Sequence, residues 1–484
     1  TVPYFDGKQS YLNLQITNTS TFDLGNSGNP TTADPPMCFP AHMGANAIIN
    51  RCLLRAKDNG QVIEDIEAYN MLNGIKNYFM PNGSVNTNAI VGGNKTVSAQ
   101  FCLPIETGLM SAFAGQHHVV PNLDVPLHFQ FFLEKNNVAL QVLSSEFYQT
   151  QTINGTAVVN KNFQSPLSNH AGVKLGTSIT LGVGVCDTSL TIGGVAWDVR
   201  KCAFRVGQAV KVGADTRIIA SVTGNGGTGS NQIVIVTDVA FGAGDGTVQL
   251  QMAPITRGYR LDKAEMKLLL TIPDQPTMRM IRSQMARGIS FASSQLYKLS
   301  TAPQLKNSVL DIPEALTRVM SMMAVPVQQD NLEALDLANS YVYCRPDPLL
   351  IDTNDNQVSY QWQVQNTLIP NLEVETNTAT NNNNDNAIYF NQVVMALRHF
   401  LSVKALSDNP LARKTEDIDI DLPYFFPISL SPVGQSFNLI NSAPQLRINN
   451  SSGNPANILA KLYFIFAVHT RILKSSDMGA EISF

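Results

Sequence analysis

The C-terminal part of the chain reads Leu422-Pro-Tyr-Phe-Phe-Pro-Ile-Ser-Leu430, then Gly434-Gln-Ser-Phe-Asn-Leu-Ile-Asn441, then Pro444-Gln-Leu-Arg-Ile-Asn449. It closes on Leu462-Tyr-Phe-Ile-Phe-Ala-Val-His-Thr-Arg-Ile-Leu473. Runs of strand length, apolar or alternating, are cut by Pro, Gly and Asn. That is the sequence form of an antiparallel sandwich.

Upstream, the same texture continues. Tyr341-Val-Tyr-Cys344, Val358-Ser-Tyr-Gln-Trp-Gln-Val364 and Asn366-Thr-Leu-Ile-Pro370 read as strands. Thr376 to Asn386 holds four consecutive asparagines from Asn381 and has no apolar face to bury. A helix follows, because Phe390, Val393, Val394, Leu397 and Leu401 share one face, with Asp385 and Asn386 available as caps. Pro313 to Val325 fits a short helix or a strand equally well by local propensity.

The first half opens on Tyr11-Leu-Asn-Leu-Gln-Ile-Thr17, an alternating, half-buried strand. Ala47 to Arg55 and Gln61 to Leu72 are two strand-like runs around Asp58-Asn-Gly60, a hairpin turn. Leu127 to Glu134 and Gly182 to Cys186 continue the β pattern, and Glu265 to Ile272 closes this half before Pro273 and Pro276. Residues 199–254 differ in composition. Phe204 to Val212, Arg217 to Val222, Gln232 to Val236 and Thr247 to Met252 are four short strands split by turns such as Gly224-Asn-Gly-Gly-Thr-Gly229. They read as a self-contained β-module set in a loop, where a rigid scaffold tolerates insertion.

The order of the terminal strands resembles the end of the double jelly-roll major capsid proteins of virophages, polinton-like viruses and related large DNA viruses. Asn59-Gly-x-x-Ile-Glu-Asp-Ile66 with Tyr69-Asn70 resembles an early hairpin of that family, and Asn366 to Pro370 resembles a strand leading to an exposed proline. The likeness spans both halves except the insert and favours strand for Pro313 to Val325. It implies an all-β chain of two consecutive eight-stranded jelly-roll β-sandwiches. The first would occupy 1–275, with the module at 199–254, and the second 276–484, the boundary falling between Thr271 and Ser300. It further implies homotrimeric, pseudo-hexagonal capsomers of an icosahedral shell. Their partners would be neighbouring capsomers, penton and minor capsid proteins, and the location the virion, with an internal membrane left open.

Composition suits an assembled role. At 484 residues the chain exceeds one ordinary core. Only 14% of residues are charged, so the polar surface comes from amides and hydroxyls, as suits burial in an assembly or an extracellular binding module. A net charge of −4 is not that of a nucleic-acid-binding chain. No stretch reaches the roughly 18 apolar residues of a membrane span. Thr1 to Lys8 has no secretory pattern, and a reducing site of synthesis is expected. Cys38, Cys52, Cys102, Cys186, Cys202 and Cys344 form no Cys-x-x-Cys pair and read as buried free thiols.

Several motifs could carry chemistry, and each has a plainer reading. His117-His118 near Asp124 lacks a third ligand at metal spacing. His128 and His469 lie in strands and are expected to hydrogen-bond there. Asp417-Ile-Asp-Ile-Asp421 lacks the glycine and distal glutamate of a calcium loop and reads as a strand with one wet face. Gly92-Gly-Asn-Lys-Thr96 has Asn94 where a phosphate loop needs glycine. Asn-x-Ser/Thr acceptors at Asn18, Asn82, Asn94, Asn154, Asn449 and Asn450 are expected by chance in so Asn-rich a chain. No catalytic, cofactor-binding or metal residue is assigned and no cofactor is expected. A secreted carbohydrate-binding or adhesin β-sandwich is the alternative, and an all-β hydrolase or lyase the third.

Overall fold

The computed structural model describes residues 4–23, 35–79, 98–111, 119–181, 204–225, 232–328, 357–377, 392–399, 425–450 and 461–483, with short breaks inside these stretches. The described residues are mostly β, as the sequence pattern predicts.

In the first half, β1 (Tyr4–Asn18) pairs antiparallel with both the strand Tyr259–Thr271 and, through its second part, Ser98–Pro104. β2 (Ile49–Ala56) lies between β3 (Val62–Ile66) and Leu127–Leu133 in a second antiparallel sheet. Gly60, at φ +68, supplies the left-handed turn residue of the β2–β3 hairpin. The run Gln61 to Leu72 is strand only to Ile66. Ala68 at φ +47 breaks the extended backbone, and α1 (Tyr69–Phe79) follows. Tyr69, Leu72 and Ile75 are buried at helical spacing, which overrides the strand-like look of the segment. Next come β4 (Ser98–Pro104), the one-turn helix α2 (Gly108–Ser111) and β5 (Leu127–Leu133).

The inserted module is a closed barrel of six strands, larger than the 199–254 segment. Its strands are β6 (His170–Leu175), β7 (Ser178–Leu181), β8 (Ala209–Val212), β9 (Asp215–Asn225), β10 (Gln232–Thr237) and β11 (Gly246–Met252). They close in the order β6-β7-β10-β9-β8-β11. The barrel has its own core, with Phe204, Ile219, Ile235 and Leu250 inside. β6 is hard to read from sequence because its polarity is inverted: His170 and Lys174 are buried while Val173 and Leu175 are 58% and 72% exposed. The Lys174 ammonium is paired with Asp245 at 2.9 Å, and the His170 ring meets Phe204 edge-on.

After the barrel, β12 (Tyr259–Thr271) runs into α3 (Gln275–Arg287), a helix that the punctuating prolines hide in the sequence. Asp274 caps it, accepting from the Thr277 N–H at 3.0 Å, and Pro276 sits in the first turn, where no intrahelical N–H is needed. The helix connects β12 to the strand that begins at Ile289.

In the second half a ninth strand, Gly479–Ser483, pairs with the end of a complete eight-stranded wrap. Its strands are β13 (Ile289–Ser300), β14 (Asn307–Asp311), β15 (Val319–Gln328), β16 (Gln357–Val364), β17 (Thr367–Asn377), β18 (Phe426–Ser429), β19 (Gln445–Asn450) and β20 (Lys461–Ser476). First pairs with last, second with seventh, third with sixth and fourth with fifth, all antiparallel. Two further ladders, β15·β20 and β16·β19, roll this ribbon into sheets ordered β13-β20-β15-β18 and β14-β19-β16-β17. That is the jelly-roll order. The segment Pro313 to Val325 ends in strand, as β15. The described residues of the expected helix around Phe390 to Leu401 are helical, with Val393 and Leu397 buried. Among the described strands of the first half, β1 rather than β12 occupies the middle of its sheet.

Leu462 to Val468 are all buried. β20 is central in its sheet and covered on both faces, which explains an apolar run without alternation. One continuous core joins Leu12, Ile16 and Leu54 of the first half to Phe291, Met322, Trp362 and Phe466 of the second.

Candidate functional site

The most built polar feature is the seam between the halves. Glu64 of β3 is fully buried. Its Oε1 accepts from the Gly108 N–H at 2.8 Å and its Oε2 from the Leu109 N–H at 2.9 Å, so the carboxyl holds the start of α2. Arg471 of β20, also buried, donates through Nη1 to the Ile63 carbonyl oxygen at 2.7 Å and attracts the Glu64 charge. Burial pushes the Glu64 carboxyl above the usual range, while the two N–H donors and Arg471 pull it back.

Lys76 of α1 faces the same region. Burial lowers its pKa, opposed by Glu106 and Glu64. Tyr69 Oη accepts the Glu106 N–H at 2.9 Å. The seam therefore sets the buried Lys76 and Arg471 beside the buried Glu64 and the half-buried Glu106, a network that positions the elements around it.

Backbones also close on each other here. A Cβ built on Gly108 would stand 1.9 Å from the Ala292 carbonyl oxygen of β13, so only glycine permits this approach. His469, on the same face of β20 as Arg471 by strand alternation, hydrogen-bonds through Nδ1 to the Thr317 carbonyl at 2.9 Å. Burial lowers its pKa. This matches the structural role expected for it. His128 lies in β5 and is exposed.

The other sequence candidates are not brought together. His117, His118, Asp124, Gly92 to Thr96 and Asp417 to Asp421 lie outside the described residues. Among the described residues, no group of three or more His, Cys, Asp or Glu could hold a metal ion, and no helix is long and apolar enough to cross a membrane. Cys38 is buried, Cys52 is a buried free thiol, and Cys102 is free and exposed, against the expectation of burial. Its position in β4 points outward between buried Phe101 and Leu103. Cys186, Cys202 and Cys344 lie outside the described residues. Asn18 is buried and donates to the Pro35 carbonyl at 3.0 Å, so it is no open glycan acceptor.

Sequence reasoning missed the seam because Glu64, Arg471 and Gly108 carry no motif and lie far apart along the chain, Glu64 and Gly108 by 44 residues and Arg471 and its partner Ile63 by 408. A charged residue inside an apolar strand run, as at Arg471, is the one signal that marks it.

No protein-family profile and no curated protein matches the chain. Among solved structures it is similar to PBCV-1 VP54 as fitted into the virophage Sputnik, 12% identical over 99% of this chain and 97% of that one, TM-score 0.41. It is also similar to the Faustovirus major capsid protein, 8% identical over 98% and 86%, TM-score 0.42. A third likeness is to the STIV MCP, 6% identical over 96% and 90%, TM-score 0.32.

Proposed function

We propose that the chain is a structural, non-enzymatic major capsid subunit of an icosahedral virus. Three copies form a pseudo-hexagonal capsomer, which contacts neighbouring capsomers, penton and minor capsid proteins. The carrying observation is the complete jelly-roll order of β13 to β20, fused through a buried seam to a second β unit. Two such units side by side give each subunit two of six similar outlines, and a closed three-fold ring uses head-to-tail contacts between copies. The free thiols Cys52 and Cys102 support synthesis in a reducing compartment rather than the secreted adhesin. A surface with few charges supports assembly by area, because little desolvation opposes its burial.

Negative-stain electron microscopy of the purified chain tests this. Three-fold particles with a six-lobed outline are expected; isolated two-lobed monomers at micromolar concentration would reject the reading.

A further inference from the structure

The described surface carries a patch that joins large apolar side chains to cations with no ion pair to a described residue. Leu268, Leu269 and Leu270, consecutive at the end of β12, are 45%, 44% and 57% exposed, and Ile272 beyond them is 64% exposed. Consecutive strand residues point to opposite faces, so this tip is apolar on both sides. β12 is also the edge of its sheet among the described strands. Three residues past Ile272 the chain enters α3. Its partly buried Ile281 packs against the main core. At about 100° per residue, Arg279, Arg282, Arg287 and Met280 fall on the opposite, exposed arc. None of the three arginines forms an ion pair with a described residue, and α3 contains no acid. The nearby charges are accounted for: Asp274 caps the helix and Lys267 pairs with Glu265 at 2.6 Å.

We propose that the β12 tip and α3 together dock on an anionic phospholipid bilayer surface, without spanning it. Charge complementarity selects an anionic partner for three exposed guanidiniums on a chain whose net charge is −4. The apolar part then decides between anions. A nucleic-acid backbone has no use for Leu270, Ile272 and Met280, whereas an interfacial segment inserts such side chains below the headgroups that its arginines contact. A tip apolar on both faces suits a medium that surrounds it better than a single flat protein surface does. The inference does not depend on the capsid reading, and sizing of the particle tests that reading separately.

Flotation of the full chain with vesicles tests the proposal. Binding is expected to phosphatidylcholine vesicles containing about one third phosphatidylserine and not to phosphatidylcholine alone. The triple change Arg279→Ser, Arg282→Ser, Arg287→Ser should weaken it on the order of 100-fold. Replacing the same three by Lys should retain it, and Leu270→Ser with Ile272→Ser should weaken it at unchanged charge. The proposal is overturned if the chain ignores charged vesicles, or if the triple Ser variant floats like wild type. It is also overturned if duplex DNA is bound equally well by the Leu270→Ser, Ile272→Ser variant and displaces the vesicles, which would make the patch a nucleic-acid site.

Discussion

Arg471 donates through Nη1 to the backbone carbonyl oxygen of Ile63, 2.7 Å away and 408 residues earlier in the chain. The next residue after that carbonyl, Glu64, is the buried acid whose charge Arg471 faces. A strand of the last sheet thus finishes the hydrogen bonding of a hairpin of the first. The halves are joined as one body of protein rather than strung on a linker.

Removing the cation should cost more than removing the acid. Arg471→Ala leaves Glu64 buried without its counter-charge and should destabilise by about 3–5 kcal/mol. Glu64→Gln keeps one acceptor and should cost about 1–3 kcal/mol. Urea denaturation of both variants checks the order.

The pH dependence has a defined sign. Burial raises the Glu64 carboxyl. A carboxyl with a raised folded pKa holds its proton more tightly folded than unfolded, so ionising it costs stability. The loss begins at the unfolded value, about 4.3, and is complete above the raised folded one. Between pH 4 and the neutral range, wild type should therefore lose stability relative to Glu64→Gln. Equal slopes for the two proteins would mean that Glu64 has no raised pKa.

Gly108→Ala should separate the halves locally. The new Cβ meets the backbone oxygen of Ala292 at 1.9 Å, and backbone cannot rotate away as a side chain can. A cost of about 1–3 kcal/mol is expected. Hydrogen exchange should rise at Leu109 and along β13 while the barrel amides stay as protected as in wild type.

The barrel can be cut out only whole. Removing 170–252 with a short linker should leave the rest of the chain folded, because most barrel core residues form their own cluster. Removing only 204–252 strands β6 and β7, whose partners β10 and β11 would be gone. That product should aggregate through its open strand edges. Soluble yield and circular dichroism of the two deletions decide between this division and a module starting near Val199.

Much of this was legible beforehand. The long strand β20, the strand β16 with Trp362, and β12 all announce themselves by apolar runs between breakers. Phe390 to Leu401 shows its helical spacing plainly. What was not legible lies where tertiary context overrules local pattern. Tyr69 to Phe79 looks continuous with β3 until Ala68 turns the chain. β6 hides its membership in the barrel by burying Lys174 and exposing Leu175. α3 alternates Met and Arg on a helix that buries little. The seam depends on residues whose meeting only the fold determines.

The central claim is that three copies associate by packed area rather than by surface charge. Sedimentation velocity of the purified chain at 0.1 and 1 M salt tests it, since molar salt screens exposed pairs beyond about 3 Å. Three chains of 52.7 kDa should sediment as one species of roughly 160 kDa in both buffers. A 52.7 kDa monomer in both would contradict the capsomer, and dissociation in high salt alone would show that charge holds it together.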